Sequence, residues 1–118
     1  MTNSVPTYDL TPSFASASLK TLIPFAGEEA ISIGAAAAIA RKSERSVRGW
    51  CAKHGIGRRV AGGAWAVSRV ALAMLLEGDH QALTAYRDDG ARGQYEPVAK
   101  FYRRLGLAHL LERPGFAA

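Results

Sequence analysis

Cysteine occurs once in these 118 residues, at Cys51, which excludes a disulfide framework within the chain. Its place in an amphipathic pattern marks it as a small buried hydrophobe rather than a nucleophile. Long apolar runs are missing too. None nears the roughly 20 residues that cross a bilayer as a helix, so no membrane partner is expected. The first residues lack a charged segment followed by an apolar one, and no secretory signal is expected. Histidine is sparse: His54, His80 and His109 stand too far apart for a metal-ligand cluster. No glycine-rich phosphate loop with a following Lys-Ser/Thr occurs. Cys51 and His54 could serve as nucleophile and base, but both belong to one apolar stripe. The expectation is a protein with no catalytic residue, no metal and no cofactor.

Acidic residues are nearly absent from the middle of the chain, and that absence is informative. Eight of the fifteen bases fall between positions 41 and 69, against the single acid Glu44, a net +7. Residues 1–40 carry one base and three acids, and residues 70–118 carry six of each. The overall +5 therefore resides in the middle. A localised basic field suits a surface that meets phosphates. A charged face kept for solubility is the plainer alternative, less apt for a block interleaved with small and apolar residues. Length allows one modest core, and 48% hydrophobic with 21% charged residues is ordinary for a globular protein.

Residues 1–28 are rich in Asn, Ser, Thr and Pro with no sustained period, and read as a flexible N-terminal arm. Leu19, Leu22, Ile23 and Phe25 are the candidates for an apolar anchor within it. Ordered structure is expected from near Ile31. Ser32 can cap a helix whose Ile33, Ala36, Ala37 and Ala40 share a face. Four consecutive alanines also describe a plain packed helix. Ser43 can cap a second helix, with Glu44 at its positive end and Gly55 as its left-handed stop. Val47, Trp50, Cys51 and His54 form its inner stripe, which turns Arg45, Ser46, Arg48, Gly49 and Lys53 outward.

Residues 56–67 predict a β-hairpin with Gly62-Gly63 at its tip. Val60, Trp65 and Val67 would supply its apolar face, and Arg58 and Arg59 its outward side. Trp65 reads as a plug into the core. Ser68 caps a third helix, apolar on most sides, that Gly78 ends. A fourth spans about residues 79–88, and a last clear helix opens at Tyr95 with Pro97 in its first turn. Val98, Phe101, Tyr102 and Leu105, followed by Leu107, Leu110 and Leu111, make an apolar C-terminal group. Two uses fit this group: completing the core, or self-association through an exposed surface.

Ser32, Ala36-Ala37, Ser43, Ser46, Val47 and Trp50 stand in the run ISIGAAAAIARKSERSVRGW. This run resembles the opening of the excisionase and MerR-type winged helix-turn-helix family. The usual form there is hydrophobic-Thr-hydrophobic, an Ala-Ala helix, then Ser-x-x-(Thr/Ser)-Val-x-x-Trp. Residues 58–67 fall where that family has its wing. Two positions depart from it: Arg41 replaces the usual turn glycine, and Lys42 the apolar residue after it. Both add charge beside the second helix. The C-terminal phrase VAKFYRRLGL is similar to the recombination directionality factors of rhizobial integrative and conjugative elements.

The resemblance implies a fold that is mainly α with a small β-hairpin, a winged helix-turn-helix with additional C-terminal helices. Its divisions would be an arm at 1–28, the DNA-binding domain at 29–78 and a helical extension at 79–118. It implies a second helix in the major groove of double-stranded DNA and a wing on the adjacent backbone or minor groove. Arg45, Ser46 and Arg48 are the candidates for base edges. Arg41, Lys42, Ser43, Lys53, Arg58 and Arg59 are the candidates for phosphates or the minor groove. An excisionase of this kind binds repeated sites, self-associates on DNA and bends it, and directs an integrase toward excision. A cytoplasmic, nucleoid-associated location follows from that role. A small transcriptional regulator using the same head is the nearest alternative. A protein-interaction adaptor that does not bind DNA is the alternative from another class.

Overall fold

The computed structural model describes residues 19–59, 61–114 and Phe116. Residues 1–18 of the expected arm, and Val60 of the expected hairpin face, lie outside these. The protein is mainly helical with a small three-stranded antiparallel sheet. In chain order it comprises β1 (Ala30–Ile31), α1 (Ile33–Ala40), α2 (Glu44–His54), β2 (Gly57–Arg59), β3 (Trp65–Ser68), α3 (Arg69–Glu77), α4 (His80–Asp89) and α5 (Glu96–Arg104). A short 3₁₀ segment, Ala108–Glu112, follows. No described helix is long and apolar enough to cross a membrane.

Local chemistry sets the helix limits. Ser32, Ser43 and Ser68 each accept the amide three residues on, at 3.0 Å, and Asp79 does the same for α4. Each such cap contributes about 1 kcal/mol. Gly55, Gly78 and Gly90 end α2, α3 and α4 in the left-handed conformation. At Gly55 a side chain is excluded twice over. Its φ is +68°, and a Cβ would lie 2.6 Å from Arg87 Cδ.

The sheet has one strand more than a hairpin. β3 is central: Gly57, Arg58 and Arg59 pair with Val67, Ala66 and Trp65 on one side, and Ala30 and Ile31 with Ser68 and Val67 on the other. Two residues carry no readable period, so β1 is a product of tertiary pairing alone. The hairpin tip also differs from expectation. Ala61 and Gly62, rather than Gly62 and Gly63, hold positive φ.

α3 occupies the middle, with Val70, Ala71, Leu72 and Met74 buried. Around it one continuous core joins Val47, Cys51 and Ile56 to Leu83, Tyr86, Phe101 and Tyr102. That core runs through the division expected at residue 78. Of the C-terminal group expected to complete the core or to self-associate, Val98, Phe101, Tyr102, Leu107 and Leu110 are buried, and Leu105 and Leu111 are half-buried against them. The five buried side chains are interior residues of one protomer. Residues 19–28 join the same body. Thr21, Leu22 and Ala26 are buried, whereas Ile23 and Phe25 are exposed.

Two buried charges tie this arrangement together. Glu29 is fully buried, and its carboxylate accepts hydroxyls from Ser68 (2.6 Å), Tyr102 (2.9 Å) and Tyr86. Tyr86 in turn accepts the Leu22 amide at 3.0 Å. Burial first, and then the Glu29 charge beside it, pushes the Tyr86 phenol well up. Burial likewise raises Tyr102, with Tyr86 and Glu29 adding to it. Both phenols therefore stay protonated as donors. Arg92 is 1% exposed. Its guanidinium donates to the carbonyls of Tyr86 (3.0 Å), Ala91 (2.7 Å), Lys20 (2.7 Å) and Ile23 (2.8 Å), and lies 3.9 Å over the Tyr86 ring.

Because the core is shared, truncation after Gly90 is expected to unfold the chain rather than dissociate it. The cut removes Arg92, Val98, Phe101, Tyr102 and Leu110, all buried. Each large apolar side chain contributes about 1.5–3 kcal/mol, against a total stability of about 5–15 kcal/mol for a domain. Thermal unfolding followed by circular dichroism checks this. A fragment 1–90 that melts cooperatively would overturn it.

Candidate nucleic-acid interface

α1 and α2 are joined by the three residues 41–43, and the turn rests on an unusual conformation. Arg41 sits at φ 57°, ψ 46°, where its amide closes onto the carbonyls of Ala37 and Ala38. An L side chain held there costs about 1–2 kcal/mol. The position that resembles a family glycine is thus a position where glycine would be easier, and the chain keeps a cation instead. Arg41 and Lys42 are both exposed.

The outer face of α2 is as its period predicts. Val47 and Cys51 are buried, Trp50 and His54 are half-buried, and Arg45, Ser46, Arg48, Gly49 and Lys53 are exposed. Ser43 has a structural part to play. Its hydroxyl caps α2, accepting the Ser46 amide and lying 3.0 Å from the Ser46 hydroxyl. The C-terminal end of α2 is fastened from outside. Arg87 Nη1 donates to the His54 carbonyl at 3.0 Å, and Thr21 Oγ1 to the Gly55 carbonyl at 2.5 Å. Burial, followed by the cations of Lys53 and Arg87, holds His54 below its ordinary pKa, so it is neutral near pH 7.

Arg58 and Arg59 do not share a side of the hairpin. Neighbours along a strand point to opposite faces, and they register with Ala66 and Trp65 respectively. Arg58 is half-buried. Arg59 bends back to the tip, donating from Nε to the Gly63 carbonyl at 2.8 Å and from Nη2 to that of Gly62 at 3.3 Å. The arginine thereby stiffens the hairpin while keeping its charge at the surface. Arg59 and Arg48 line one cleft of about 510 Å³, together with Ser32, Ile33, Gly34, Ala64 and Trp65. A groove of about 790 Å³ along α4, from His80 to Tyr95, has no lysine or arginine in its lining.

Ion pairing separates this surface from the exposed cations of the C-terminal half. In the C-terminal half Arg87, Lys100, Arg103, Arg104 and Arg113 each have a carboxylate partner: Asp88, Asp79, Glu96, Glu77 and Glu28 in turn. Between residues 41 and 59 only Arg48 does, with Glu44 at 3.4 Å. Among the described residues, Arg41, Lys42, Arg45, Lys53 and Arg58 have no carboxylate within pairing distance. An unneutralised group of cations on one helix face, its turn and a neighbouring strand is what counterion release on a polyanion requires. No family model, curated protein or solved structure matches the chain.

Pattern reasoning identifies the outward residues of α2 but misses what fastens it. Thr21 and Arg87 reach α2 across 34 and 33 residues, and no local signal announces either contact. The Glu44–Arg48 pair was available from its i, i+4 spacing.

Arg41→Gly separates the two roles of its position. It should raise unfolding stability by about 1 kcal/mol by removing the left-handed strain, while weakening binding to any duplex through loss of a cation. Denaturant melts and a gel-shift titration check the pair of effects; lower stability would refute the strain. Cys51 offers a second check. Burial pushes its thiol up to about 11 from 9.0, so it should resist alkylation at pH 8 until the protein is unfolded. A raised folded pKa means the thiol's contribution is full below pH 9 and is lost as pH rises through about 11. The stability gap between the parent and Cys51→Ala should therefore narrow across that window.

Proposed function

We propose that this chain is a sequence-specific double-stranded DNA-binding protein built as a winged helix-turn-helix, with α2 entering the major groove and the β2–β3 hairpin as its wing. The observation that carries this is the group of cations on α2 and around it that have no carboxylate partner among the described residues, whereas the exposed cations beyond residue 78 are paired. Arg45 and Ser46, exposed in the first turn of α2, are the residues for base edges, where arginine meets guanine acceptors and serine adapts. Arg41, Lys42, Lys53 and Arg58 are the phosphate contacts. Arg59 contributes its charge from the hairpin tip, and Ser43 acts through the cap.

The resemblance of residues 31–50 extends the proposal to the role of an excisionase. In that role the protein binds repeated sites, bends the DNA and directs an integrase toward excision of a mobile element. Such a role needs no reactive group, and α2 alone reads only a few base pairs, so several copies on neighbouring repeats would supply the specificity. The C-terminal apolar residues are occupied by the core, so contacts between copies must come from elsewhere on the surface or through the DNA itself. The same head serves a transcriptional regulator equally, and the excision role rests on the resemblance.

Engaging about six phosphates predicts a roughly thousandfold fall in affinity between 50 and 200 mM salt. Gel-shift or anisotropy titrations across that range measure it, and a flat response would reject the phosphate assignments. On a footprinted site, Arg45→Ala should cost about 1–3 kcal/mol at one base pair. An equal loss on every sequence would make Arg45 a phosphate contact. An excision assay with a candidate integrase, with and without this protein, tests the role beyond binding.

A further inference from the structure

Glu44 is the single acid between residues 41 and 69, and it occupies the basic surface instead of avoiding it. Its Oε1 accepts from Arg48 Nη2 at 3.4 Å. Its Oε2 lies against the first turn of α1, only 3.3 Å from where a Cβ on Gly34 would stand. The carboxylate thus sits between α1 and Arg48 at the edge of the cleft that Arg48 shares with Arg59 and Trp65. Both side chains remain about half exposed, at 54% and 55%, so the pair can open toward a ligand. An acid at a helix start is also a dipole partner. That role alone would not require it to reach Arg48 or to lie against the glycine of the preceding helix.

We infer that Glu44 is a specificity-determining residue: its carboxylate occupies Arg48 in place of a phosphate, and so suppresses binding to DNA of unrelated sequence. The inference rests on the proposal that α2 faces duplex DNA. A phosphate approaching Arg48 must displace Glu44 and meet its repulsion, on any sequence. Guanidinium carries five donors, and pairing with Glu44 leaves others for a guanine edge. On the right sequence Arg48 can therefore engage while the pair stays closed. Loose, phosphate-only complexes bear the full cost of Glu44, and the matched complex does not.

The test is a double-mutant cycle on the full chain with Glu44→Gln, Arg48→Gln and the double variant, titrated against a mixed-sequence duplex and against the footprinted site. Glu44→Gln should tighten mixed-sequence binding about fivefold, the worth of an exposed ion pair at its upper end. It should also steepen the salt slope by about one. Affinity for the footprinted site should stay level or fall, so the ratio of the two drops about fivefold or more. In the Arg48→Gln background the gain should vanish. Thermal melts of each variant exclude misfolding as the source of any loss. An equal gain on both duplexes, no gain, or a gain that persists without Arg48 would overturn this inference while leaving DNA binding intact. Absence of binding by the unmodified chain at low salt would overturn both it and the proposed function.

Discussion

The fold depends on a buried carboxylate. Glu29 comes just before β1 and accepts hydroxyls from β3, α4 and α5, so one side chain brings together segments spread over most of the chain. A charge out of water costs several kcal/mol unless its lone pairs are satisfied. Three donors held in the core offset that cost, and only this arrangement of strand and helices supplies them. An apolar residue could fill the same space, yet it would tolerate rotated or shifted packings that a carboxylate does not. Arg92 acts in the same way on the other side of Tyr86, since its four carbonyl partners come from both ends of the sequence.

This network explains why the protein does not divide where its composition changes. Residues 19–28 read as the end of an arm, and residues beyond 78 as an appendage. Arg92 bonds the first to the second, and Glu29 bonds both to β3. The apolar C-terminal helices are thus structural members of the body that holds α2, and the basic face is presented by the whole protein rather than by a detachable head.

Legibility in the sequence followed the range of the interaction. The limits of α2 could be read from Ser43 and Gly55 because capping and left-handed stops act within one turn. Its outward face could be read from Val47 and Cys51 at their i, i+4 spacing. The three-residue turn was readable too, although Arg41 in place of a glycine hid its left-handed backbone. What escaped was long-range. β1 has too few residues to show a period, and Glu29 and Arg92 carry no local signal because their partners lie as far as 73 and 72 residues away. Val98, Phe101 and Tyr102 announced an apolar face, but a face does not say what covers it. The hairpin tip slipped by one residue because Ala61 takes a conformation that composition assigns to glycine.

The fastening of α2 at its far end has a further meaning. Arg87 and Thr21 hold the last carbonyls of the helix from two other segments, while its first turn, which presents Arg45 and Ser46 to solvent, is held by Val47 in the core and by the Ser43 cap. Mechanically this is a beam held at both ends. The backbone loses little freedom when its outer face meets a partner, since the ordering was completed on folding. A change at residue 21 or 87 would loosen the far end of the helix without altering a single group on its outer face.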